Sequence, residues 1–112
     1  MWKEKLALYD QLVREYTDFE RKGKTMPYTS ANGHMFSLLN KDGELGIRLS
    51  KAAGKQFIET HNTTRFKSHG HFMNGYVLIP EALFENMELL ASYLKKGHEY
   101  VCSLKPKATK KK

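Results

Sequence analysis

The side chains best equipped for chemistry in this sequence are five histidines, His34, His61, His69, His71 and His98, and a single cysteine, Cys102. Only His69 and His71 lie close together. In an extended segment an i, i+2 pair points two imidazoles to one side, as some metal sites require. A small metal-dependent hydrolase could be built on such a pair, but it needs at least one more ligand. No Asp or Glu lies between Glu59 and Glu81, and HExxH is absent, so His34, His61 or His98 would have to be recruited from elsewhere. The plainer reading makes His69 and His71 loop histidines at a polar strand end. Cys102 has no partner for an intrachain disulfide or a thiolate cluster, and its place in a helical pattern reads as a small buried apolar residue.

Other catalytic signatures are missing. GxSxG and its relatives do not occur, and SHGHFMNG, residues 68–75, lacks both GxGxxG spacing and the GK[ST] of a phosphate loop. Its glycines read instead as a tight connection between strands. The expectation is a chain without enzymatic activity or cofactor.

Charge is the second chemical feature. The formal net charge is +7, from 19 Lys and Arg against 12 Asp and Glu. Lys105, Lys107, Lys110, Lys111 and Lys112 fall in the last eight residues with no acid among them; the rest holds 14 basic and 12 acidic residues, only +2. The segment KPKATKKK cannot bury itself, so residues 105–112 are expected to form a disordered tail. Within the body, residues 47–80 hold Arg48, Lys51, Lys55, Arg65 and Lys67 against Glu59 alone, a local charge of +4. Thr63, Arg65, Lys67 and His69 alternate along a strand, so the cations face outward together if Phe66 enters the core. Phosphate oxygens would find several donors there, and Tyr76 or Phe72 could stack a base. The competing reading is a solvated strand face, and a tail that only aids solubility.

These residues need elements to hold them. Trp2, Leu6, Tyr9, Val13 and Tyr16 recur at helical spacing, with Leu12 and Phe19 widening the stripe, so a helix is expected over residues 2–19 with its end near Gly23. Residues 24–33 read as a loop or one short irregular strand. HMFSLLN, the turn Lys41-Asp42-Gly43 and ELGIRLS form the clearest hairpin, with Leu45, Ile47 and Leu49 toward the core and Gly46 and Arg48 toward water. Ser50 should cap a helix running to about His61, with Ala53, Phe57 and Ile58 buried. A strand TRFKSH, a loop from Gly70 to Gly75, and a buried central strand YVLI follow. Pro80 stops that strand, and a long closing helix begins after a cap at Asn86, with Gly97 either bending it or admitting a neighbour. The expected fold class is α+β: one domain over residues 1–104, an antiparallel sheet with N-terminal, middle and long C-terminal helices packed on it. No apolar run reaches the roughly 18 residues of a membrane span, and the chain is expected to be cytoplasmic.

From Gly33 to Pro106 the sequence resembles the TfoX/Sxy N-terminal domain. The resemblance rests on GHMFSLLNKDGELGIRLS, GKQFIETH, RFKSHGHF, MNGYVLIPEALFEN and ELLASYLKKGHEYVCSLKPK, above all on Met73-Asn74-Gly75-Tyr76-Val77-Leu78-Ile79-Pro80-Glu81. It implies a compact α+β sandwich like those of secretion-chaperone-type folds, an association with bacterial competence regulation, and no catalytic residues. The resulting expectation is an accessory regulator that binds a protein partner or nucleic acid through Arg48, Lys51, Lys55, Arg65, Lys67, Lys105, Lys107 and Lys110. The alternative is an adaptor domain that forms a homodimer through its sheet or a long helix.

Overall fold

The computed structural model describes residues 2–23, 26–68 and 70–106. Helix α1 (Trp2–Tyr16) is followed by strands β1 (Tyr28–Ala31), β2 (His34–Leu39) and β3 (Leu45–Arg48), helix α2 (Lys51–His61), strands β4 (Arg65–Ser68) and β5 (His71–Leu78), a single-turn 3-10 segment (Glu81–Glu85) and helix α3 (Met87–Cys102). The five strands form one antiparallel sheet in the order β1-β2-β3-β5-β4, with the three helices packed on it. Among the described residues no helix is long and apolar enough to cross a membrane.

One face of the sheet meets the helices. Tyr9, Leu12 and Val13 of α1 and Leu90, Ala91, Leu94 and Val101 of α3 join Phe36, Leu39, Leu45, Ile47 and Val77 in the main core. An irregularity in the β1–β2 register between Thr29 and Ser30 skips Phe36, so Phe36 and Ser37 both turn toward the helices. Ser37 then links the buried hydroxyls of Tyr9 and Thr29. Burial pushes the Tyr9 phenol up, although its hydroxyl partners pull the other way.

The opposite face carries no helix and is apolar nonetheless. Leu38, Phe66 and Tyr76 form a second cluster, flanked by Met26, Tyr28, Met35, Met73 and Leu78. Gly46 does not face water as its alternation suggests. The Phe66 ring lies flat on it, and a Cβ there would fall 2.3 Å from the ring. Phe66 is therefore buried as expected, but on the helix-free side, which leaves Arg65 and Lys67 on the side where α2 sits.

Two further expectations change. α1 ends at Tyr16 rather than near residue 19, because the Thr17 hydroxyl donates to the Val13 carbonyl and accepts from the Phe19 amide, drawing the chain into a turn. Residues 28–31 form a short edge strand with an irregular register, one of the two forms expected of 24–33. The stretch after Gly70 is not a loop: His71 to Gly75 belong to β5, which pairs with both β3 and β4, and Gly75 at φ +85° relieves the strain inside the strand. The α2 reading holds: Ser50 accepts from the Ala53 amide at 3.2 Å, and Asn62 closes the helix in the left-handed conformation. The Asn86 side chain caps α3, accepting from Leu89 N. Gly97 admits a neighbour, since a Cβ would meet the Arg48 carbonyl oxygen at 2.7 Å.

Candidate functional site

α3 packs closely against β3 at Gly97, and a cleft lies just beyond this contact. β3 ends at Arg48, the chain turns through Leu49 and Ser50, and α2 starts at Lys51. The Leu49 amide donates to the Gly75 carbonyl at 3.0 Å, which ties this turn to the middle of β5. The resulting open concavity has a volume of about 510 Å³ and is lined by residues of β3, α2, β4, β5 and α3. Four of the sequence-predicted residues meet there: Arg48, Lys51, Lys55 and Arg65.

Among the described residues no acidic side chain lines this cleft. Among the described residues, the ion pairs use Lys5, Arg14 and Arg21, so none of the four cleft cations has a carboxylate at ion-pair distance. The backbone adds to the imbalance. The first amides of α2 have no carbonyl partner within the helix, and their aligned dipoles place partial positive charge at the same end. A cation in the first turn opposes that dipole by about 0.3 to 1 kcal/mol, yet Lys51 stands at the first helical position and the first turn holds no acid.

Each cation is held differently. Arg48 is half-buried, crosses Gly75 with its side chain 3.6 Å from the site a Cβ would occupy, and puts its guanidinium 5.6 Å from the Tyr100 ring centroid. Lys51 and Lys55 are exposed on the first turns of α2. Arg65 pairs in register with Val77, which places it on the α2 side, and its guanidinium lies 4.5 Å from the Phe72 ring centroid. Lys67 pairs with Phe72 and holds its ammonium 5.3 Å from that same ring. Lys67 thus extends the basic surface beyond the cleft without lining it.

The two aromatic candidates separate. Tyr76 cannot stack a base: it is buried, its ring packs on Phe66, and its hydroxyl donates to the Met35 carbonyl at 2.7 Å. Burial pushes its phenol up, partly countered by the Arg48 charge. Phe72, by contrast, is 51% exposed and is the one large hydrophobic residue so exposed among those described. Lys105 lies away from this surface, its carbonyl oxygen 3.0 Å from His34 Nε2. Lys107 and Lys110 fall outside the described residues.

The four described histidines do not converge. His34 meets the Lys105 carbonyl, His61 Nε2 lies 2.9 Å from the Tyr93 hydroxyl, and His98 stacks on Phe19 at 4.6 Å. His71 is exposed at the start of β5, and His69 lies outside the described residues. Among the described residues no three His, Cys, Asp or Glu side chains are grouped to hold a metal ion. Cys102 is exposed rather than buried, with its Sγ 3.7 Å from His98 Nε2, because its position on the last turn of α3 faces away from the core side that Val101 occupies.

Two features were missed by sequence reasoning. Tyr100 enters the cleft from α3, and only the long-range approach at Gly97 brings it there. A second concavity, about 490 Å³ and open, lies on the helix-free face between Met26, Tyr28, Met35, Leu38 and Met73. Reading residues 70–75 as a loop, and 24–33 as a loop or one short irregular strand, hid Met73 and Met26. No family model matches the sequence, and no curated protein matches it either.

Proposed function

We propose that this chain is a non-catalytic binding domain whose working surface is the basic cleft at the start of α2, where it takes an acidic macromolecular partner. One observation carries the reading: four cations line a single concavity at a positive helix end, with no acid to balance them. A solvated face would spread such charges among acids, as the ion-paired Lys5 and Arg14 of α1 are spread. Here an incoming anion relieves the repulsion and reverses the sign of the helix-end interaction. Kinship with the TfoX N-terminal domain, and an accessory regulatory role in the cytoplasm, belong to the same proposal.

The test is binding of a fluorescent heparin fragment, a polyanion without bases, to the full chain at low salt. Arg48→Glu with Lys55→Glu should weaken it about 100-fold, whereas Lys107→Glu with Lys110→Glu should leave most of it. Loss only in the second variant would move the activity to the tail and contradict the reading.

Self-association is a second reading, favoured by the apolar groove on the bare sheet face. Light scattering over a wide concentration range checks it, and a monomer throughout would contradict it.

A further inference from the structure

We infer that the acidic partner is single-stranded nucleic acid, its phosphates held in the cleft by Arg48, Lys51, Lys55 and Arg65 and an unpaired base stacked on Phe72. The inference rests on the cleft being the working surface and adds the chemistry of the ligand. Its distinct observation is Phe72. A phenylalanine half in water is an unusual choice for a strand residue whose neighbours on the same face are charged. Apolar side chains left wet beside cations suit a ligand that is itself half ring and half anion.

Position supports the pairing. Arg65 belongs to both halves of the surface, lining the cleft while its guanidinium sits 4.5 Å from the Phe72 centroid. A strand bound along β4 would therefore pass its backbone over Arg65 with one base reaching the neighbouring ring. Lys67, 5.3 Å from that ring on its other neighbouring position, supplies a further phosphate contact. Tyr100 stands at the opposite end of the cleft against Arg48, and the exposed Asn74 side chain on the rim offers both a donor and an acceptor to a base edge.

The chemistry also sets single strands apart from the other polyanions. A duplex hides its base faces in its own stack, so it would use the cations and leave Phe72 idle. An acidic peptide or a sulfated sugar would do the same. Stacking adds affinity without sequence preference, since every base has a π face.

The experiment compares fluorescent oligothymidylate, the matched thymidylate–adenylate duplex and the heparin fragment, each titrated with the full chain. Phe72→Ala should weaken oligothymidylate binding about tenfold and leave heparin binding unchanged, and Phe72→Trp should restore it. Arg48→Glu should weaken both ligands. The single strand should bind more tightly than the duplex, with a logarithmic salt slope of about −3.5, about −0.7 for each of five phosphate contacts. Equal binding of duplex and single strand, or an unaltered Phe72→Ala affinity, would overturn this inference while heparin binding kept the cleft as the working surface. Binding of every ligand indifferent to Arg48→Glu would overturn both. Circular dichroism of Phe72→Ala, a change at an exposed site, should match the parent.

Discussion

Two concavities of similar size lie on opposite faces of the same sheet, and β5 contributes to both. On the helix side, Gly75 and Val77 border a cleft lined by Arg48, Lys51, Lys55 and Arg65. On the bare side, Met73 borders a groove lined by Met26, Tyr28, Met35 and Leu38. Tyr76 sits between them, touching the cleft near Arg48 and donating its hydroxyl to Met35. The difference shows how one twisted strand can separate two kinds of recognition. Charges in the cleft act over about 8 to 10 Å, select by sign and weaken with salt. The methionine groove acts only on contact, has no preference for sign and is insensitive to salt.

The sharpest way to break this comparison is to remove the side chain that builds the bare face. Phe66 is fully buried over Gly46 and beside Tyr76, so Phe66→Ala should lower unfolding stability by about 3 to 5 kcal/mol in denaturant titration. Polyanion binding should persist below the unfolding transition, because Arg65 and Lys67 project from the other side of β4. Next in size, Arg48→Glu with Lys55→Glu should weaken heparin binding about 100-fold, equivalent to about 2.7 kcal/mol, while leaving the denaturation midpoint within about 0.5 kcal/mol. A loss of stability as large as the loss of binding would make those residues structural instead.

The tyrosines give a third measure. Burial raises the phenols of Tyr9 and Tyr76 above the ordinary value near 10, so the folded chain holds their protons more tightly than the unfolded chain. Their contribution is complete below about pH 10 and is lost as pH rises above it, by up to about 1.4 kcal/mol per pH unit for each group. Tyr9→Phe should flatten the alkaline decline in thermal melts, and an unchanged slope would contradict the assignment. The smallest effect belongs to the helix cap. Ser50→Ala should cost about 1 kcal/mol of stability and loosen the first turn of α2, where the cleft amides lie.

The parts of the fold readable in advance were those with local causes. Asp42-Gly43 closes its hairpin through turn chemistry, and Ser50 and Asn86 start helices through their own side chains. The clustering of Arg48, Lys51, Lys55 and Arg65 was legible as a local charge excess. What it could not convey was which strand face the charges occupy. That depends on Phe66 finding Gly46, a contact between strands that β5 separates in the sheet, and one that sends Phe66 to the helix-free side. Gly70 and Gly75 misled for a related reason. Both adopt positive φ, as loop glycines do, but Gly75 does so inside β5, held by pairing on either side. Tyr76 looked available for stacking because a strand apolar on both faces gives no alternation by which to tell wet from dry.

The most direct test of the cleft is a titration of isotopically labelled full-length chain with oligothymidylate, followed by amide chemical shifts. The account predicts the largest changes at Lys51 and Ala52 in the first turn of α2, at Arg48, and from Arg65 to Gly75 along the β4–β5 edge. Changes confined to residues 105–112, or centred on Met26, Met35 and Met73, would contradict it.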